Sequence, residues 1–210
     1  MAGTTAVAQA ARQKGGAGGR TGKILVMASE PYFLRSERLG FRWWRKNDLP
    51  LARRLWGDLE VTKFFGGPFA EEEIERRLLV ELDRGVAHDF QYWPMYLVDG
   101  DRFVGCCGLR PYRLEEGIPE LGFHLRPEFW GRGLAPEAAT AVIHYAFQTL
   151  GAKALSAGHH PENANSRKVL ERLGFRYSHQ EFFPALGIDI PYYLLPRPDQ
   201  SVSKPAADAL

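Results

Sequence analysis

Residues 129–138 read FWGRGLAPEA, and the interpretation of the whole chain starts from this run. Gly131 and Gly133 bracket an arginine, and Pro136 and Glu137 follow just ahead of an apolar, alanine-rich run. Because proline is tolerated in the first turn of a helix, these residues predict a helix that starts directly behind a glycine turn. The first turn of such a helix presents unpaired N–H groups and the positive end of the helix dipole. The stretch therefore predicts a binding site for an anion such as a phosphate or pyrophosphate.

A Gly-x-Gly turn before a helix is not specific by itself, since a plain helix entrance can have the same residues. No Gly-Lys-Ser/Thr follows the turn, so it is not a nucleoside-triphosphate loop of the Walker type. It also lacks the third glycine of the dinucleotide-binding fingerprint. The interpretation of the turn therefore depends on the segments around it.

Those segments carry strand and helix patterns in a mixed order. Period-2 alternation and short apolar runs predict strands near 38–43, 91–98, 102–109, 119–126, 153–158, 175–177 and 191–195. Helical spacing and capping residues predict helices near 48–56, from 71 onward, and at 135–150 and 162–173. Antiparallel strands come first and strand–helix–strand–helix follows, which predicts a mixed α/β (α+β) fold.

Composition limits the class of protein. The chain has 210 residues, of which 45% are hydrophobic and 25% charged, values that are ordinary for one globular domain. No stretch approaches the roughly 20 apolar residues of a membrane span, so no membrane partner is expected. Residues 1–29 hold four basic residues and no acid, and the remaining 23 basic residues face 25 acidic ones. The folded part is therefore not expected to bind nucleic acid.

Three regions are predicted along the chain. Residues 1–30 are rich in Gly and Ala and form a flexible basic tail, 31–197 form a single domain, and 198–210 form a second tail. The only cysteines, Cys106 and Cys107, are neighbours in sequence and are not expected to bridge each other. This cysteine usage favours a reducing, cytoplasmic setting.

Two runs on either side of the predicted 153–158 strand carry a family resemblance. LGFHLRPEFWGRGLAPEAATAVIHYAF at 121–147 and HHPENANSRKVLERLGFRY at 159–177 resemble the GNAT superfamily of N-acetyltransferases. The branch they look most like is that of the ribosomal-protein N-terminal-alanine acetyltransferases (RimJ/RimL-like). The resemblance extends over about 37–196, and GCCGLRPY at 105–112 further resembles a bacterial subgroup of unassigned substrates.

The resemblance implies a fold and a cosubstrate. The implied fold has a central, mostly antiparallel sheet of about six to seven strands flanked by about four helices, with acyl-CoA bound at a splay between two central parallel strands. The implied cosubstrate is acetyl-CoA, with no metal. By resemblance, Phe123 and Leu125 hydrogen-bond the pantetheine amides as an added strand would. The backbone amides that hold the pyrophosphate are those of Gly131, Arg132, Gly133, Leu134 and Ala135.

The second motif supplies Asn163 and Ser166. By resemblance, Asn163 contacts the pantetheine arm or orders the loop that does, whereas the residues alone favour a simple helix cap. Ser166 is implied to lie near the thioester sulfur and to protonate the departing thiolate. The chain departs from the family pattern at Glu128, where Gln or Arg is usual, and at Leu170, where many members place a tyrosine acid.

The reaction needs a base, because the attacking amine must be neutral and amines have a pKa of roughly 8 to 10.4. Glu120 is the best candidate, since it lies on the polar face of the 119–126 strand and Gly122 beside it leaves room for a substrate. The alternative for Glu120 is an ion pair with Arg110 on the neighbouring strand. The weaker candidates for the base are three histidines, His124, His159 and His160.

The sequence therefore predicts an acetyl-CoA-dependent N-acetyltransferase acting on an amine, either a protein N-terminus or a small molecule. Glu115, Glu116, Glu120 and Glu181 give a mild hint of an acidic cleft for polyamines or aminoglycosides. Two rival hypotheses are a non-catalytic acyl-CoA-binding module and a basic tail that docks on a partner such as ribosomal RNA. A homodimer is the default expectation for the oligomeric state.

Overall fold

The structure is a computed structural model that describes residues 32–198, so the predictions for the two tails lie almost wholly outside the described residues. The strands are β1 (Leu34–Arg35), β2 (Leu39–Phe41), β3 (Tyr92–Leu97), β4 (Arg102–Arg113), β5 (Ile118–Leu125), β6 (Ala154–Gly158), β7 (Arg176–Phe183) and β8 (Ile188–Pro196). The α-helices are α1 (Leu49–Trp56), α2 (Leu59–Thr62), α3 (Glu71–His88), α4 (Leu134–Gln148) and α5 (Ala164–Arg172).

The strands form one sheet in the order β1-β2-β3-β4-β5-β6-β8-β7. Every neighbouring pair is antiparallel except β5 and β6, which are parallel. This arrangement confirms the mixed, mostly antiparallel sheet. The sheet has eight strands rather than six or seven, because two residues at β1 add an edge strand that is too short to produce an alternation pattern.

Two further differences from the predicted elements have local causes. The one-turn helix α2 adds a fifth helix, and it forms because the Asp58 side chain accepts hydrogen bonds from the amides of Glu60 and Val61. The hairpin of β7 and β8 is longer than the sequence pattern predicts, since its pairing continues to Phe183 and Ile188. None of the helices within residues 32–198 is long and apolar enough to cross a membrane.

Helices cover both faces of the sheet. Helix α4 packs on one face, where Val142, Ala146 and Phe147 join the larger of two buried clusters. Helices α1 and α3 cover the opposite face with the second cluster, which contains Leu55 and Leu78. Because successive strand residues point to opposite faces, Cys106 and Cys107 enter different clusters, and both are buried and unbridged.

The parallel strands β5 and β6 separate soon after they meet. Their register contains one pair, Glu120 with Ser156. The rest of β5, toward Leu125, therefore runs along an opening rather than along β6. Helices α4 and α5 follow these two strands, so both helix starts lie at the same end of the opening. In open sheets, ligands bind outside the carboxyl ends of strands at such a divergence.

Candidate active site

The glycine turn lies between the end of β5 and the start of α4. A short 3₁₀ turn, Pro127–Phe129, precedes it. Gly131 has a φ of 71° and Gly133 a φ of 73°, both in the left-handed region that side chains disfavour. A Cβ at Gly131 would meet no atom within 4 Å, so the backbone conformation rather than space requires glycine there. The predicted helix start is confirmed, with Gly133 at the N-cap of α4.

This turn leaves a run of backbone donors free. Within residues 32–198, the amide N–H groups of the five residues from Gly131 to Ala135 make no hydrogen bond. Pro136 has no N–H, and the next amide, that of Glu137, lies 3.3 Å from the Gly133 carbonyl oxygen. Five consecutive unpaired donors at a helix N-terminus are well suited to bind a pyrophosphate.

The segment between β1 and β2 braces the turn. The Arg38 guanidinium donates through Nη1 to the Arg132 carbonyl oxygen at 3.0 Å and through Nε to Glu137 Oε2 at 2.6 Å. The Ser36 hydroxyl donates to Glu137 Oε1 at 2.7 Å. Burial tends to raise the pKa of Glu137, but the hydrogen bonds from Ser36 and Arg38 outweigh it and lower that pKa. No local pattern of residue types signals this link, since its partners are about a hundred residues apart.

A cavity of about 570 Å³ opens along the turn and the free part of β5. Eight of the nine predicted coenzyme-binding residues line it: Phe123, Leu125, Gly131, Gly133, Leu134, Ala135, Asn163 and Ser166. The exception is Arg132, whose side chain is exposed with its guanidinium carbon 5.7 Å from the centre of the Phe129 ring. We call this space the coenzyme cavity. Glu128, the departure from the family pattern, pairs with Arg126 at 2.5 Å and is not part of the lining.

Some predicted contact groups already have partners. The Leu125 carbonyl oxygen accepts a hydrogen bond from Trp130 Nε1 at 2.7 Å. Asn163 caps α5, because its Oδ1 accepts from the Ser166 backbone amide at 3.0 Å. The capping role of Asn163 is therefore confirmed, while its contact with the pantetheine arm stays a prediction. The Ser166 hydroxyl makes no hydrogen bond to the rest of the described chain and is open to a ligand.

A second cavity of about 250 Å³ lies beside the first, between α3 and the sheet. We call it the acceptor cavity, and Glu120, Tyr92 and Tyr192 are among its lining residues. The two cavities share six lining residues, Phe64, Phe65, Phe123, His124, Asn163 and Ser166. Two molecules, one in each cavity, would therefore meet at this junction.

Phe64 and Phe65 are junction residues that the sequence reasoning missed. They follow α2, and the Phe64 ring stacks on His160 with centroids 5.0 Å apart. The Phe65 ring lies 4.9 Å from that of His124. A Phe-Phe pair has no feature that distinguishes a site from a core position, so only the fold brings these residues to the junction.

Glu120 is buried in the wall of the acceptor cavity. Arg110 is its cross-strand neighbour and donates from Nη2 to Glu120 Oε1 at 2.5 Å. Burial raises the pKa of the Glu120 carboxyl, and the Arg110 guanidinium opposes that rise. The Arg110–Glu120 ion pair is therefore confirmed, while the role of Glu120 as the base stays a prediction. Gly122 lines the acceptor cavity beside Glu120, and a Cβ there would collide with the Tyr92 hydroxyl.

The histidines differ in what their nitrogens can do. Burial, with nearby Arg77 and Arg110, lowers the pKa of His124 to about 3, and Trp56 Nε1 donates to its Nδ1 at 3.2 Å. His124 is therefore neutral and too weak a base for an ammonium group. His159 Nδ1 contacts the His160 carbonyl oxygen at 2.8 Å. Residues 32–198 contain no cluster of three or more His, Cys, Asp or Glu side chains that could hold a metal.

Comparison with known proteins agrees with this geometry. Residues 38–176 match the family described as Acetyltransferase (GNAT) domain. The chain is similar to the uncharacterised N-acetyltransferase p20 of Bacillus licheniformis, with 30% identity over 145 residues that cover 68% of this chain and 82% of p20. A crystal structure of an acetyltransferase from Agrobacterium tumefaciens is 26% identical with a TM-score of 0.68, covering 84% of this chain and all of that one.

The ribosomal L7/L12 alpha-N-protein acetyltransferase RimL, solved in complex with coenzyme A, shares the fold. Its TM-score is 0.65 at 15% identity, over 77% of this chain and 95% of RimL. The family match covers well over half of the chain, and a relative at 30% identity covers two thirds of it. The chain therefore belongs to the GNAT acetyltransferase family and is an acetyltransferase enzyme.

Proposed function

We propose that the enzyme transfers the acetyl group of acetyl-CoA directly to a primary amine, without a covalent acyl-enzyme. The observation that supports this proposal most directly is the junction of the two cavities. One cavity has free backbone N–H groups that are suited to bind a pyrophosphate, and the other has a buried carboxylate. Six lining residues are common to both cavities. Such a junction brings two bound reactants together without a nucleophile from the protein. The two cysteines are buried, and burial raises the pKa of both thiols, which makes them poor nucleophiles.

Acetyl-CoA would lie in the coenzyme cavity. The amides of residues 131–135 would bind its pyrophosphate, and the free edge of β5 at Phe123 and Leu125 would bind the pantetheine arm. Ser166 would lie beside the sulfur. The coenzyme supplies an activated thioester, and the protein supplies position and proton transfer.

The proposed chemistry uses Glu120 as the base. Glu120 removes a proton from the ammonium form of the acceptor, directly or through one water, and the neutral nitrogen attacks the thioester carbonyl. The new C–N bond forms, the C–S bond breaks, and the nitrogen releases its second proton to water as the amide forms. The Ser166 hydroxyl donates a proton to the departing thiolate and regains one from solvent, and Glu120 returns its proton to solvent. The raised pKa of Glu120 supports this role, because a base is most effective when its pKa approaches the working pH.

The acceptor class is the finer part of the proposal. The RimJ/RimL-like resemblance favours a protein N-terminus, and the RimL structure is named for that activity. A small-molecule amine is the alternative. A buried leucine, Leu170, stands where many family members have a tyrosine acid, so the proposal gives the role of the acid to Ser166.

The test is CoA release from acetyl-CoA, followed by thiol titration and mass spectrometry. Two acceptor pools are used, one of peptides with varied N-termini and one of small amines. We expect a product heavier by one acetyl group in one pool. E120Q should lower kcat/KM by about 10²-fold or more, the usual contribution of a general base. E171Q, which removes an exposed glutamate paired with Arg167, is the matched control and should keep the wild-type rate.

Two results would contradict the proposal. Acetyl-CoA binding without CoA release in either pool would favour the binding module. Full activity in E120Q would remove Glu120 as the base while leaving the transferase function in place.

A further inference from the structure

The acceptor cavity has a charged wall that the proposed mechanism does not use in full. Four arginines and two glutamates line it: Arg76, Arg77, Arg84, Arg110, Glu81 and Glu120. None of these arginines lines the coenzyme cavity, where the free amides already provide a phosphate site. The arginines are therefore not accounted for by the coenzyme.

Two ion pairs, Arg84 with Glu81 and Arg110 with Glu120, form what we call the inner wall of the acceptor cavity. In each pair the arginine is more exposed than the glutamate. Arg84 Nη1 lies 2.6 Å from Glu81 Oε1, and Arg110 Nη2 lies 2.5 Å from Glu120 Oε1. The side chains of the two glutamates are 6% and 5% exposed, whereas those of Arg84 and Arg110 are 27% and 34% exposed. A ligand in the cavity would therefore meet guanidinium groups first.

Glu81 is hydrogen-bonded through both oxygens and Glu120 through one, and the arginines have donors to spare. Glu81 accepts from Arg84 with one oxygen and from the Tyr92 backbone amide, at 2.7 Å, with the other. A guanidinium carries five N–H groups, and the bond from Arg84 to Glu81 uses one of them. Planar guanidinium forks match carboxylate and phosphate oxygens well. The inner wall is therefore built to receive an anionic group.

The two pairs of the inner wall sum to zero formal charge, and the charged groups around them add one net positive charge. Arg76 and Arg77 share one counter-ion, Glu73, with contacts of 2.7 and 2.9 Å. Beyond the rim, Arg113 and Glu181 form a pair at 3.5 Å and cancel each other. The glutamates that hinted at an acidic cleft do not gather in this cavity, since Glu120 is the one of the four that lines it. A polycation would meet net repulsion here.

We propose, building on the function proposed above, that the acceptor is an amine that also carries a carboxylate or a phosphate. Arg84 and Arg110 bind that anionic group and so orient the amine toward the junction of the cavities. This is a selection rule for the acceptor, and it disfavours polyamines and aminoglycosides. Two kinds of acceptor share this chemistry: a small molecule that carries both an amine and an acidic group, and a peptide whose first residues are acidic.

The test compares matched acceptors in the CoA-release assay. The pairs are phenylalanine with phenylalaninamide, 2-aminoethyl phosphate with ethanolamine, and a Ser-Asp peptide with the Ser-Asn peptide; spermidine is the polycation. We expect the anionic member of at least one pair to have a kcat/KM at least about tenfold above its neutral partner. The pair that responds identifies the source. A neutral or cationic amine preferred throughout would overturn the proposal.

The arginine assignment is tested with variants. R84Q should reduce the anionic-to-neutral ratio by about tenfold, and the double variant E81Q/R84Q should do the same without leaving a buried charge unpaired. R53Q removes an exposed arginine paired with Glu71, outside both cavities, and should keep the ratio. An unchanged ratio in the folded double variant would contradict a role for Arg84.

Failure of this inference can be told apart from failure of the proposed function. If acetyl-CoA binds but no amine is acetylated, the transferase proposal fails, and calorimetry then tests the anion site separately. N-acetylphenylalanine and inorganic phosphate are titrated into the CoA-loaded protein. Binding that E81Q/R84Q weakens about tenfold would support the anion site, and no binding of either probe would overturn it.

Discussion

The neutral state of His124 should make the stability of this enzyme depend on pH in a way that one substitution removes. His124 lies at the junction of the cavities, half-buried between the rings of Phe65 and Tyr92. Its Nδ1 accepts a hydrogen bond from Trp56 Nε1, so a proton at Nδ1 would face another donor. Burial lowers the pKa of this side chain from 6.5 to about 3.

The direction of the effect follows from proton linkage. A histidine whose pKa is lower in the folded state adds stability above the pKa of the unfolded chain, and this stability is lost as the pH falls from about 6.5 toward 3. At about pH 5 the protonated form of this histidine outnumbers the neutral form by roughly 30 to 1 in the unfolded chain, whereas in the folded protein the side chain remains neutral. The free energy of unfolding should therefore fall by about 2 kcal/mol between pH 7.5 and pH 5 through this residue.

The assay is urea unfolding followed by tryptophan fluorescence at both pH values. The variant is H124N, whose Oδ1 can take the place of the histidine Nδ1 as acceptor but cannot be protonated. H124N should lose about 2 kcal/mol less than the wild type on acidification, whatever its stability at pH 7.5. H144N, at an exposed position on α4, is the matched control and should follow the wild type. Equal pH dependence in wild type and H124N would show that His124 is not the source of the effect.

Two further predictions concern the glycine turn. G131A should weaken acetyl-CoA binding by about tenfold, because a left-handed φ disfavours alanine by about 1–2 kcal/mol. G151A is the matched control, since Gly151 has a φ of 69°, has open space where a Cβ would lie and is outside both cavities; it should lose stability without losing affinity. R38Q should also weaken acetyl-CoA binding severalfold, because it leaves the Glu137 carboxylate without its cation next to the phosphate site. R53Q is the matched control and should keep the wild-type affinity. Calorimetry measures the acetyl-CoA affinity of all four variants. Equal affinities across a matched pair would contradict the role given to that residue.

Most elements of the fold were predictable because their signals are local. The Gly-x-Gly turn and the apolar stripe behind it predicted α4, and alternation near 119–126 predicted β5. Even one tertiary contact was predictable, since Arg110 and Glu120 lie in a short hairpin that brings them opposite each other. Elements of two to four residues, such as β1 and α2, contain too few positions for periodicity to appear.

The rest of the site depends on contacts between distant parts of the chain. Arg38 reaches Glu137 only because the connection between β1 and β2 and the start of α4 come together in the fold. Phe64 and Phe65 belong to the site because the segment after α2 lies over the opening between β5 and β6. The close approach of the Tyr92 hydroxyl on β3 to Gly122 depends on the fold for the same reason. None of these contacts can be predicted from the local pattern of residue types.

Binding of the coenzyme pyrophosphate by the glycine turn is tested by titrating the ¹⁵N-labelled enzyme with acetyl-CoA and following the amide signals by NMR. We predict saturable binding with large downfield shifts of the amide protons from Gly131 to Ala135, because these free donors would bind the pyrophosphate. The amide signal of Gly151, which has a similar backbone conformation outside the cavities, should stay in place. Binding that leaves the five amides unshifted, or no binding at all, would contradict the assignment of the glycine turn as the coenzyme site.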